Sequence, residues 1–213
     1  QLDNLNSKFA KYKSDPKVRS AKAMVVNQNN GKVIYQKNAY SEGSIASLTK
    51  LMTAMVILDS KIDLNKKIKI SKQDIDRLKG TGSRIPIGTS ISGYDLLKIS
   101  LMSSDNRAAS ALSRAYPSGK KGFIKAMNIK ALKLGMHNSR FADPSGLNKR
   151  NKSTARDLVR MVEAAYQYPL IREITTTSQE TFTIGKRKSK IDFVNTNRLV
   201  RKGNWDIGLS KTG

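Results

Sequence analysis

The chain contains no cysteine and a single histidine, His137. The first absence excludes a disulfide framework, thiolate catalysis and cysteine-based metal sites. The second leaves only His137 for an imidazole-driven triad, and one imidazole is too few for a histidine-based metal site. His137 stands in Gly135-Met136-His137-Asn138-Ser139, which reads as a surface turn after a helix. No cofactor or metal is expected. Long apolar runs are also missing: the longest, around Leu51 to Leu58, is interrupted by Thr53 and is too short to span a bilayer. The sequence opens at Gln1 in polar residues, with no charged region followed by an apolar one, so any export signal is expected to have been removed. Acidic residues are scarce, 16 against 40 Lys and Arg, giving a formal charge of +24. Such an excess points to a polyanionic partner: nucleic acid, an anionic membrane surface or an anionic wall polymer. The basic residues are densest at Lys120 to Lys133 and Lys186 to Lys202, and neither stretch interleaves the aromatics of a single-strand stacking platform. Nucleic acid is therefore not expected as a partner; a plain solvated, Lys-rich surface is the first reading of the charge, and contact with an anionic wall or membrane surface stays open beside it.

What is present suits one globular α+β domain, for which 213 residues are enough. Ala23 to Val26, an Asn29-Asn30-Gly31 turn and Val33 to Tyr35 read as a hairpin. Ser47 to Ser60 carries Leu48, Leu51, Met52, Met55 and Val56 at helical spacing, with Ser47 as cap or first-turn residue. Tyr94 to Met102, Arg107 to Ala115, Lys121 to Leu134 and Thr154 to Tyr166 continue as helices. Phe182 to Ile184, Ile191 to Phe193 and Trp205 to Leu209 are short and β-prone. The order predicts an antiparallel sheet flanked by helices, its first and last segments sharing that sheet across an inserted helical region. Nothing in the sequence sets the oligomeric state.

With imidazole and thiolate chemistry removed, a lysine is the remaining base for a hydroxyl nucleophile. Desolvation and neighbouring positive charge can hold an amine neutral. On a helix, Ser-x-x-Lys brings Oγ and Nζ to one side, and the helix N-terminus favours developing negative charge. The pattern occurs three times, at Ser14-Lys17, Ser47-Lys50 and Ser118-Lys121. Proline or glycine disturbs the first and third, whereas Ser47 opens a strong apolar helix.

Two further triplets accompany it. Ser104-Asp105-Asn106 lies 57 residues after Ser47 and Lys211-Thr212-Gly213 lies 164 after it, each pattern occurring once. Ser104 can relay a proton between Lys50 and a leaving amine, because a hydroxyl both donates and accepts. Asn106 can bond an acyl-side amide and hold Lys50. Lys211 adds positive charge for a substrate carboxylate and Thr212 a hydroxyl donor, while Gly213 lets a substrate backbone lie close to an edge strand. The Ser47 N–H would supply one oxyanion donor.

The three motifs, in this order, resemble those of active-site serine penicillin-binding proteins and β-lactamases. The likeness to the low-molecular-mass penicillin-binding D-alanyl-D-alanine peptidases extends through Ala46 to Met55, Leu101 to Ala109, Phe141 to Leu147 and Ser153 to Leu158. Phe123 to Asn128 and Asn195 to Val200 are similar to the periplasmic D,D-endopeptidases, which cut D-Ala to diaminopimelate cross-links. The resemblance implies the transpeptidase-like α+β fold of that family. It makes Ser47 the acyl-ester nucleophile, Lys50 its proton acceptor, Ser104 the second-motif serine and Lys211 a substrate-binding residue. It implies an exported, periplasmic enzyme acting on peptidoglycan peptides and inhibited by β-lactams. The family continues beyond the third motif through further strands and a helix, so residues 1–213 are expected to be a single domain truncated after Gly213. Four readings stay open: endopeptidase, carboxypeptidase, β-lactamase, or a non-catalytic basic module that binds wall polymer. A class A β-lactamase needs a Glu to activate the deacylating water. No Glu lies between Ser104 and Glu163, and Asp143 does not match the required pattern, so slow penicillin deacylation is expected.

Overall fold

In the computed structural model, which describes residues 16–185 and 188–213, the apolar run after Ser47 becomes helix α1 (Thr49–Asp59). Its residues from Thr49 to Ile57 are all buried. A helix buried on every side belongs inside a core rather than on its surface. Accordingly α2 (Gly93–Met102), α3 (Asn106–Arg114), α4 (Gly119–Lys133) and α5 (Ala155–Tyr166) all pack around it. Each buried Leu, Ile or Met contributes about 1.5–3 kcal/mol, and α1 supplies Leu51, Met52, Met55 and Ile57 to the central cluster.

The strands lie around this helical centre. Strands β1 (Ala23–Val26) and β2 (Val33–Lys37) form the expected antiparallel hairpin, closed at Gly31 with φ +70° and lying against α5. Strand β3 (Gly43–Ser44) pairs with β6 (Lys152–Ser153), and β4 (Lys67–Lys69) with β5 (Ser90–Ser92). After α6 (Pro169–Thr176), strands β7 (Gln179–Ile184) and β8 (Ser189–Val194) make a second long hairpin, followed by the short helix α7 (Arg198–Lys202).

Helix starts follow their side chains. Ser92 accepts the Asp95 N–H ahead of α2, Asp105 accepts the Ala108 N–H ahead of α3, and Thr154 accepts the Asp157 N–H ahead of α5.

Two expectations are corrected. The α+β class holds, but the four sheets among the described residues are each two-stranded, and the first and last hairpins do not share one. The final hairpin β7–β8 instead packs on α2. Trp205 to Leu209 is not a strand: Trp205 is 66 % exposed while Leu209 packs on the core, and no strand among the described residues pairs with the segment. No helix among the described residues is long and apolar enough to cross a membrane.

Candidate active site

Ser47 lies in a single 3₁₀ turn, Ala46–Leu48, that runs directly into α1. Lys50 is in the first turn of α1 and is fully buried, an unusual position for a lysine. Its Nζ donates to three oxygens: Ser47 Oγ at 2.9 Å, Asn106 Oδ1 at 2.7 Å and the Ser145 carbonyl at 2.8 Å. Burial holds its pKa down to about 7, the Lys211 ammonium pushes the same way, and Asp105 and Asp143 oppose. The other Ser-x-x-Lys pairs differ. Ser118 and Lys121 are exposed at the start of α4, and Ser14 lies outside the described residues.

The third acceptor comes from the loop 141–151, built by two side chains. Asp143 accepts the Ser145 N–H, the Ser145 hydroxyl and the Gly146 N–H on Oδ1, and the Asn148 N–H on Oδ2. Asn151 accepts the Ala142 and Asp143 N–H groups and donates to the Asp143 carbonyl and to Thr49 Oγ1. The buried polar residues of α1 all face this loop: Thr49 meets Asn151, Lys50 meets Ser145 and Thr53 donates to the Pro144 carbonyl at 2.7 Å. Three hydroxyl and amine groups inside an apolar helix are thereby satisfied at once.

Ser104 and Asn106 come from the link between α2 and α3. α2 ends at Met102 and Asp105 caps α3, so the chain reverses within three residues and Ser104 takes φ +60°. Ser104 Oγ accepts from Lys211 Nζ at 3.0 Å; no hydrogen bond joins it to Lys50 among the described residues. Asn106 bonds Lys50 through Oδ1 and Thr81 Oγ1 through Nδ2 at 2.9 Å.

Lys211, Thr212 and Gly213 have no strand pairing among the described residues, yet they reach the same place. Burial lowers the Lys211 pKa to about 8. The Thr212 hydroxyl meets that of Thr196 at 2.6 Å, and a Cβ on Gly213 would stand 3.6 Å from the Ile45 carbonyl, beside the Ser47 turn. All seven residues singled out in the sequence thus lie close together around the Ser47 turn. Beside it, Thr81, Arg84, Ser104, Asn106 and Phe193 line a hollow of about 520 Å³. His137 is exposed and lies elsewhere, and no group of three or more His, Cys, Asp or Glu among the described residues could hold a metal.

Sequence reasoning missed three contributors. Ser145 acts through its carbonyl, which carries no side-chain signal; the Asp143-Pro144-Ser145-Gly146 pattern is turn chemistry and could have flagged it. Gly146, at φ +89°, passes against the Ala46 peptide. Thr81 is an exposed residue in a loop with no motif of its own.

Over 200 residues the chain is 46 % identical to the D-alanyl-D-alanine endopeptidase of Escherichia coli, covering 94 % of this chain and 64 % of that protein. It is 46 % identical over 194 residues to the enzyme of the same name from Pseudomonas aeruginosa, covering 91 % and 63 %. The chain thus spans just under two thirds of the length of these relatives. The crystal structure of a Streptomyces DD-transpeptidase superposes with a TM-score of 0.84 at 30 % identity, over 94 % of this chain and 82 % of that one. The family model for D-alanyl-D-alanine carboxypeptidase matches residues 9–213, and the chain belongs to that family.

Proposed function

We propose that this chain carries the catalytic centre of a serine D,D-peptidase that opens D-alanyl cross-links in peptidoglycan through an acyl-enzyme on Ser47. The observation that carries the reading is the coordination of Lys50. Two of its three contacts are fixed acceptors, Asn106 Oδ1 and the Ser145 carbonyl, and they occupy two amine hydrogens. The remaining tetrahedral position points at Ser47 Oγ. In the ammonium form it holds a hydrogen; in the neutral form it is the lone pair. A pKa near 7 makes the neutral form accessible at physiological pH.

Ser47 Oγ then attacks the D-alanyl carbonyl carbon while its proton passes to Lys50. The C–N bond breaks and the leaving amine takes the proton that Lys50 gained; Ser104, whose Oγ is held by Lys211 rather than by Lys50 in this structure, can pass it on because a hydroxyl both donates and accepts. Water releases the acyl group in a second step, regenerating Ser47. Lys211 supplies positive charge for a substrate carboxylate, with the Thr212 hydroxyl beside it, and Asn106 has a second N–H hydrogen for the acyl-side amide. Gly213 leaves room for substrate backbone to lie alongside.

Endopeptidase specificity is supported by the names of the Escherichia coli and Pseudomonas aeruginosa relatives. The same chemistry makes β-lactams acylating inhibitors and requires a periplasmic location, where cross-linked peptides lie. The excess of positive charge suits the anionic wall and membrane surfaces found there. Incubating the full-length protein with purified cross-linked muropeptide dimers and separating the products tests the assignment. Release of monomers is expected, and it should vanish in Ser47→Ala. Loss of only a terminal D-Ala from pentapeptides would make the protein a carboxypeptidase, and no reaction on either would refute the proposal.

A further inference from the structure

We infer that Asp76 and Thr81, neither of which belongs to a motif, are positioning residues that set the orientation of the Asn106 amide and through it the acceptor face presented to Lys50. The inference rests on the reading of Lys50 as proton acceptor.

Asp76 gathers the loop that follows it. Its Oδ1 accepts the Leu78 N–H at 2.8 Å and the Lys79 N–H at 3.0 Å, and its Oδ2 accepts the Thr81 N–H at 2.9 Å and the Thr81 hydroxyl at 2.6 Å. An ionised carboxylate only accepts, so the single hydroxyl hydrogen of Thr81 is committed to Asp76. What Thr81 Oγ1 offers Asn106 is therefore a lone pair. An amide has a donor end and an acceptor end that exchange on a half-turn. A hydroxyl free to rotate would satisfy either orientation; one locked onto Asp76 satisfies only the donor end, and Nδ2 sits 2.9 Å from it. The acceptor end is left facing Lys50 at 2.7 Å. Reversed, the amide would set two N–H hydrogens against the Lys50 ammonium.

The rest of the loop supports this use. Burial alone would raise the Asp76 pKa, but the bonds from the Thr81 hydroxyl and the Lys79, Thr81 and Leu78 N–H groups outweigh it and hold the pKa at about 2. The carboxylate thus stays charged across the range where Lys50 titrates. At the far end of the loop, the Arg107 guanidinium, one residue past Asn106, donates to the Ile85 carbonyl. Thr81 takes only one of the two Nδ2 hydrogens, so the other remains for a substrate carbonyl.

Acylation of the full-length protein by a fluorescent penicillin, followed as a second-order rate against pH, tests the inference. The other charges facing Lys50, namely Lys211, Asp105 and Asp143, are left untouched. In Thr81→Val the plateau rate is expected to fall roughly tenfold. The acid-limb midpoint should also move to lower pH, because the Lys50 ammonium loses a fixed acceptor. Thr81→Ser restores both, and Asp76→Asn behaves like Thr81→Val. Thr81 is exposed, so the two Thr81 variants should melt like the parent. A Thr81→Val protein with the parent's rate and midpoint would overturn the inference, as would a loss that serine does not rescue. If the parent itself does not label, or labels equally as Ser47→Ala, the proposed function fails instead.

Discussion

Gly146 lies so close to Ala46 that a Cβ on it would overlap the Ala46 carbonyl oxygen and stand 3.0 Å from the Ser47 nitrogen. Its φ of +89° is also one that side chains rarely adopt. The loop that delivers the Ser145 carbonyl to Lys50 and the turn that carries Ser47 are therefore in contact through a residue with no side chain. Gly146→Ala should displace one or the other. The backbone strain alone costs about 1–2 kcal/mol, and the overlap adds to it. A fall in melting temperature together with loss of most penicillin labelling is expected; parent-like labelling would show that the contact is dispensable.

The pH dependence of acylation follows from Lys50. Only its neutral form can take the Ser47 proton, so the rate should rise with pH and level off above a midpoint near 7. Lys211 is the second cause of the depressed value, after burial. Removing its charge in Lys211→Gln lets Lys50 hold its proton longer, and the midpoint should move upward. Stopped-flow acylation across the pH range measures both. A profile that falls with rising pH near 7 would mean that Lys50 acts as the ammonium.

Asn151 is fully buried and its four bonds join the loop to itself and to Thr49 on α1. Asn151→Ala leaves several buried groups unsatisfied, each costing about 1–3 kcal/mol. Chemical denaturation should show a loss of roughly 2–4 kcal/mol with an unchanged m-value. A change below about 0.5 kcal/mol would indicate that water replaces the amide.

Asp143 is the carboxylate nearest in sequence to where a deacylating Glu would be sought, and its oxygens already serve four donors of its own loop. It is a structural cap. The penicilloyl adduct should consequently persist, with label remaining long after free penicillin is removed. Rapid turnover of penicillin without a lasting adduct would move the assignment to a β-lactamase.

The central helix and the residues upon it were legible because both signals are local. An apolar run after Ser47 predicts burial, and three-residue spacing predicts that Oγ and Nζ meet. Ser104, Asn106 and Lys211 were legible as ordered motifs, though nothing local states that they meet. The misreading at Trp205 to Leu209 has the same origin in reverse: β-prone residues make a strand only if a partner is present, and strand pairing is a tertiary fact. The Ser145 carbonyl and the Thr81 hydroxyl were not legible because one is backbone and the other ordinary in type. Only the path of the folded chain gives them their direction.

The central claim is covalent chemistry at Ser47, and the most direct measurement is intact-mass and peptide-map analysis of the full-length protein after brief exposure to penicillin. One penicilloyl group on the peptide containing Ser47 is predicted, with none in Ser47→Ala and a strongly reduced amount in Lys50→Ala. An unmodified Ser47 in a folded protein, or an adduct on another residue, would contradict the account.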